Sequence, residues 1–120
     1  MEEKTPCLNA GFWIAFPQNS DISQIAQRLP PKTTFEYNDG LLAVVAEVRD
    51  CYDWEIDAVL TELFAKCKLD EWKAVSDEFD GKIHIGLWYY SYDSSPAVIF
   101  EGRNMEIIHK LNADISIDPY

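Results

Sequence analysis

The chain has 120 residues, is 48% apolar and carries four Trp, six Tyr and six Phe, which suits one folded domain over residues 1–120 and excludes a disordered chain. Ten Lys plus Arg stand against 21 Asp plus Glu, a net charge of −11. A field of that sign repels nucleic acid and anionic lipid, keeps the chain dissolved, and attracts basic proteins.

No stretch reaches the ~18 apolar residues of a membrane span. The opening MEEK lacks the basic and apolar regions of a signal peptide. Cys7, Cys51 and Cys67 are odd in number and widely spaced, with no CxxC pair, which argues for a reducing compartment. A cytoplasmic location is therefore expected.

Residues 1–6 are polar and outside any periodic pattern. Residues 8–16 alternate as a strand, with Phe12, Ile14 and Phe16 on one face and Gly11, Trp13 and Ala15 on the other; Pro17 ends it. Residues 21–29 predict a helix: Asp21 and Gln24 have capping-box spacing, and Ile22, Ile25, Ala26 and Leu29 share a face. Pro30 and Pro31 stop it, because neither nitrogen carries a hydrogen to donate.

Residues 33–37 and 41–49 predict a hairpin closed by Asn38, Asp39 and Gly40, residues that tolerate a positive φ. The second arm, LLAVVAEVR, could form a helix, but its valines and the turn before it favour a strand with Leu42, Val44, Ala46 and Val48 on one face.

Residues 53–68 show the clearest helical stripe, made of Ile56, Val59, Leu60, Leu63, Phe64 and Cys67. Acidic groups at its start and Lys66 and Lys68 at its end suit the helix dipole. Cys67 falls on the stripe and reads as a small hydrophobe. A weaker helix follows over 69–79, with Asp70 as its expected cap and Trp72, Val75, Ser76 and Phe79 near one side.

After a turn at Asp80 and Gly81 comes KIHIGLWYY, residues 82–90, taken as the centre of the sheet. Ile83, Ile85, Leu87 and Tyr89 lie on one face, and His84, Gly86, Trp88 and Tyr90 on the other. The second face is too aromatic to be plain solvent surface, so it is covered or reserved for a partner. Residues 92–96 form a turn, and 97–100 pair back as a short strand. A last helix over 103–111 is expected to be capped by Asn104, with Met105, Ile107, Ile108 and Leu111 inward. Asn112 suits the left-handed residue that ends it, and 115–118 alternate as a final strand. The order β-α-β-β-α-(α)-β-β-α-β predicts an α+β domain, a mainly antiparallel sheet with helices packed on one face.

No catalytic signature is present: no GxSxG, P-loop or GxGxxG. His84 and His109 lack HExxH or H-x₃-H spacing, so no metal and no cofactor are expected, and each is more simply a structural or surface histidine. An enzyme would need His84 or His109 as a general base with a carboxylate or thiol in reach, and nothing in the spacing indicates one. Asp50, Asp53, Glu55 and Asp57 cluster before a helix without the glycine of a calcium loop. They stabilise the helix start or dock a partner's Lys and Arg. Trp88, Tyr90 and Tyr92 serve the core or a protein interface, where rigid amphipathic rings are favoured.

The run IHIGLWYY, a turn, PAVIF, NMEIIHKL and then an alternating NADISIDPY resembles the end of the bacterial domain-of-unknown-function family 4279. DISQIAQRLPP is similar to that family's opening helix. LLAVVAEVR lacks the family's tryptophan, and the family brings no catalytic residues. In size and charge the chain also resembles immunity proteins of bacterial toxin–immunity systems such as contact-dependent inhibition. That likeness implies a non-enzymatic protein that neutralises a basic, nuclease-type toxin domain by direct binding, with Asp50, Asp53, Glu55, Asp57, Trp88, Tyr90 and Tyr92 as contacts. The alternative is a small-molecule-binding or regulatory domain, with the aromatic sheet face as a pocket wall.

Overall fold

The computed structural model describes residues 7–37, 40–51, 56–90 and 102–119. In chain order it contains β1 (Cys7–Phe16), α1 (Ile22–Arg28), β2 (Thr34–Tyr37), β3 (Leu41–Cys51), α2 (Ile56–Ala65), α3 (Leu69–Glu78), β4 (Lys82–Tyr90), α4 (Gly102–Lys110) and β5 (Asp114–Pro119). The α+β class holds, and the sheet is mostly antiparallel. The strand expected over 97–100 lies outside the described residues.

The sheet order is β2-β3-β1-β4-β5. The central place therefore belongs to β1, not to β4 as expected. β1 pairs antiparallel with β3 on one side and with β4 on the other. β4 and β5 are parallel neighbours, a pairing that needs a crossover and not a hairpin; α4 lies in that connection.

One face of the sheet is dry. Leu8, Ala10, Phe12 and Ile14 of β1 and Ile83, Ile85 and Leu87 of β4 are almost wholly buried there. Against them pack Ile25 and Leu29 from the α1 region, Ile56, Val59, Leu60 and Leu63 of α2, Trp72 and Val75 of α3, and Leu111 after α4. Burying a side chain of this kind contributes roughly 1.5–3 kcal/mol. All four described helices sit on this face.

β3 departs from the expected alternation. Leu41, Ala43, Val45 and Val48 are buried, while Leu42 and Val44 are half-exposed. The cause is a bulge: Phe12 pairs with Ala46 and Trp13 with Val44, so Val45 is an extra residue. The extra residue reverses the parity of the strand, and Val48 returns to the core.

The helix ends explain themselves locally. Asp21 caps α1 by accepting from the backbone N–H of Ser23 at 3.0 Å and of Gln24 at 3.3 Å. The cap position of α3 is Lys68, which makes no side-chain capping bond; Asp70 lies in the first turn, where its charge suits the dipole. Asn104 is likewise no cap. It lies inside α4, buried, and its Nδ2 reaches the Asp57 carbonyl at 3.1 Å, Asp57 Oδ1 at 2.9 Å and Thr61 Oγ1 at 3.0 Å. Met105 points outward, 51% exposed, because α4 meets the core through Ile107 and Ile108. Asp80 and Asn112 take positive φ angles, 56° and 50°, and end α3 and α4.

Candidate functional site on the open sheet face

The second face of the sheet carries none of the described helices. Its centre is built on two glycines. Gly11 of β1 and Gly86 of β4 are cross-strand partners, so two side chains are missing at one spot. The indole of Trp13 fills the gap. A Cβ at Gly86 would stand 2.5 Å from Trp13 Cη2 and Cζ3, and one at Gly11 would stand 2.9 Å from Nε1. Only glycine lets the ring lie so close to both strands.

Alternation then places two more rings beside it. His84 and Trp88 flank Gly86 at two residues either way, on the same face. The His84 and Trp13 rings are parallel within 2° with centroids 5.5 Å apart. Trp13 and Trp88 follow at 6.2 Å and 16°. The row continues at both ends. The guanidinium of Arg49 lies 5.8 Å from the Trp88 ring centroid, and Arg49 Nε donates to Glu47 Oε2 at 2.5 Å. At the other end His84 Nε2 and Ser116 Oγ of β5 share a hydrogen bond of 3.0 Å. The row thus crosses β5, β4, β1 and β3.

A depression of about 470 Å³ opens over this row. Trp13, Trp88 and Val44 give it apolar walls, and Glu36, Glu47 and Asp118 bring carboxylates. Among the described residues that line it, Arg49 is the one cation. A rigid aromatic wall beside carboxylates is suited to cationic groups, which the ring faces and the acceptors attract together.

No family model, no curated protein and no solved structure matches this chain.

Trp88 is in the row. Asp57 is on the opposite side of the sheet, in the first turn of α2, where its carboxylate accepts from Asn104. The structure therefore does not bring Asp57 and Trp88 together. Asp53, Glu55 and Tyr92 lie outside the described residues, as do the side chains of Asp50 and Tyr90. The sequence missed Trp13, Arg49, Glu36, Glu47 and Asp118 as site residues. The signal for Trp13 was present, since Gly11 and Trp13 share a face, but only the pairing of Gly11 with Gly86 shows why.

Away from this face, the described nucleophilic and titratable groups include Cys67 and His109. The Cys67 thiol donates to the Leu63 carbonyl at 3.1 Å. Burial pushes its pKa up to about 12, against a smaller opposing effect of the Lys66 charge, so the thiol stays protonated at neutral pH. His109 is exposed in the last turn of α4. Among the described residues no group of three or more His, Cys, Asp or Glu is placed to hold a metal ion. Among them, too, no helix is long and apolar enough to cross a membrane.

Proposed function

We propose that this chain is a small acidic binding protein of the cytoplasm that docks a basic protein partner on its open sheet face. The partner class we favour is a bacterial toxin domain, nuclease-type, whose active site the protein covers as an immunity protein. The observation that carries the proposal is the aromatic row of His84, Trp13 and Trp88 standing beside carboxylates on the face without described helices. A net charge of −11 adds long-range attraction for such a partner. Rigid rings at the centre with charges around them match the anatomy of protein interfaces.

The test is co-expression with the product of the adjoining reading frame, followed by affinity measurement at two ionic strengths. A stoichiometric complex is expected, with association slowed by salt and affinity lowered at least about tenfold by Trp88→Ala. Absence of a complex at low salt overturns the proposal. So does a complex indifferent to both Trp88→Ala and Glu47→Gln, since it would use another surface.

A second reading has its own observation. A cleft of about 630 Å³ lies at the β3 bulge, lined by Pro30, Pro31, Val45 and Trp72, with Lys32, Lys66 and Glu47 beside them. In so acidic a chain, two lysines against one glutamate beside apolar walls suit a carboxylate with an apolar body. Dodecanoate should raise the unfolding temperature of the wild type but not of Lys32→Ala/Lys66→Ala; equal shifts in both remove this reading.

A further inference from the structure

We infer that the open-face depression is an arginine site: a partner's guanidinium lies along the Trp13–Trp88 row, held by Glu47 and Asp118, and Arg49 is the internal group it displaces. This rests on the reading that the open face docks a basic protein, and it names the side chain that is recognised.

Arg49 already shows the two interactions such a guest would make. Its guanidinium is 5.8 Å from the Trp88 centroid, and it is paired with Glu47. Its side chain is 64% exposed, so this pair is a surface contact, screened by water and weak. The depression holds more acceptors than Arg49 uses. Among the described residues Asp118 enters no ion pair. Asp118, the β5 partner of Trp88, therefore leaves negative charge at the row for a second cation.

The geometry also selects the cation. Trp13 and Trp88 present rings parallel within 16°, and Trp13 is seated over the glycine pair. A planar guanidinium can stack on such a surface while its fork of N–H donors meets a carboxylate. A lysine ammonium is a compact, strongly hydrated charge that can do only one of these well.

The experiment is a titration of the whole chain at low salt with hexa-arginine, hexa-lysine and hexa-citrulline, followed by the indole N–H resonances of its tryptophans. Hexa-arginine should move the Trp13 and Trp88 signals first and bind at least about tenfold more tightly than hexa-lysine, while neutral, planar hexa-citrulline should not bind. Glu47→Gln with Asp118→Asn should weaken hexa-arginine by about tenfold, the size expected for losing charge-assisted bonds. Arg49→Met, which vacates the row, should tighten it. The Trp72 indole, buried in the core, reports that each variant remains folded.

Equal binding of hexa-arginine and hexa-lysine, with shifts spread over the molecule, overturns the arginine site but leaves the basic-partner reading standing on charge alone. Failure of both cationic peptides at low salt overturns the two together. Weaker binding by Arg49→Met shows that Arg49 assists the guest, and overturns its displacement.

Discussion

Replacing Gly86 by alanine tests the construction of the aromatic row. The new Cβ would stand 2.5 Å from Trp13 Cη2 and Cζ3, inside any real carbon–carbon contact. The obstacle is a side chain, so the indole swings away and the backbone stays. Trp13 then loses its stacked neighbours, His84 and Trp88. Each aromatic pair is worth roughly 0.5–1.5 kcal/mol beyond area burial, so about 1–3 kcal/mol is lost. Against this, alanine is better than glycine inside a strand by roughly 0.5–1 kcal/mol. The net expectation is a destabilisation of about 1–2 kcal/mol. The sign should change once Trp13 is gone. In a Trp13→Ala background, Gly86→Ala should be neutral or stabilising, a coupling of about 2 kcal/mol in a double-mutant cycle. Urea unfolding followed by far-ultraviolet circular dichroism measures it, with midpoints compared at equal slope. Gly11→Ala, whose Cβ would meet Trp13 Nε1 at 2.9 Å, should cost less than Gly86→Ala. If Gly86→Ala costs the same with and without Trp13, the glycine serves the strand and not the ring, and the reasoning fails.

Other expectations follow from single contacts. Asn104→Leu removes the donor to Asp57 and Thr61 from a buried position, and should destabilise by about 2–3 kcal/mol and lower amide-exchange protection where α2 meets α4. Asp21→Ala should cost about 1 kcal/mol, read as a lower unfolding midpoint, by removing the cap on the N–H groups of Ser23 and Gln24. Cys67 links stability to alkaline pH. Its pKa is about 12 in the folded chain against 9.0 as a free group, so the unfolded chain releases the proton first. The stability from the protonated thiol is whole below pH 9 and drains as pH rises toward 12. Stability measured from pH 8 to 11 should therefore fall more steeply in the wild type than in Cys67→Ala.

Most of the architecture was legible because it rests on short-range pattern. Period-two alternation placed β1 and β4, and the Asp21 cap with Ile25 and Leu29 placed α1. The α2 stripe was clear, although the helix ends at Ala65, before Lys66 and Lys68. Long-range facts were not legible. The bulge at Val45 reversed β3, because an inserted residue leaves no mark in a run of small apolar side chains. Asn104 was expected at a cap because asparagine commonly sits there; its real partners lie more than 40 positions away. The candidate site was visible only in fragments. Trp88 could be found on its strand, but Arg49 and Asp118 join it through the pairings of separate strands.

The middle position of β1 has a consequence for how the chain is made. Its partners in β4 stand 67 to 83 positions further along, from Ala15 with Lys82 to Cys7 with Tyr90. A ribosome that has released β1, α1 and the β2–β3 hairpin has given this strand one neighbour and left its other margin of N–H and C=O groups open. Such a margin invites pairing with another nascent chain. Closure must wait for residues 82–90, so translation that pauses before them should leave the protein at its most prone to self-association.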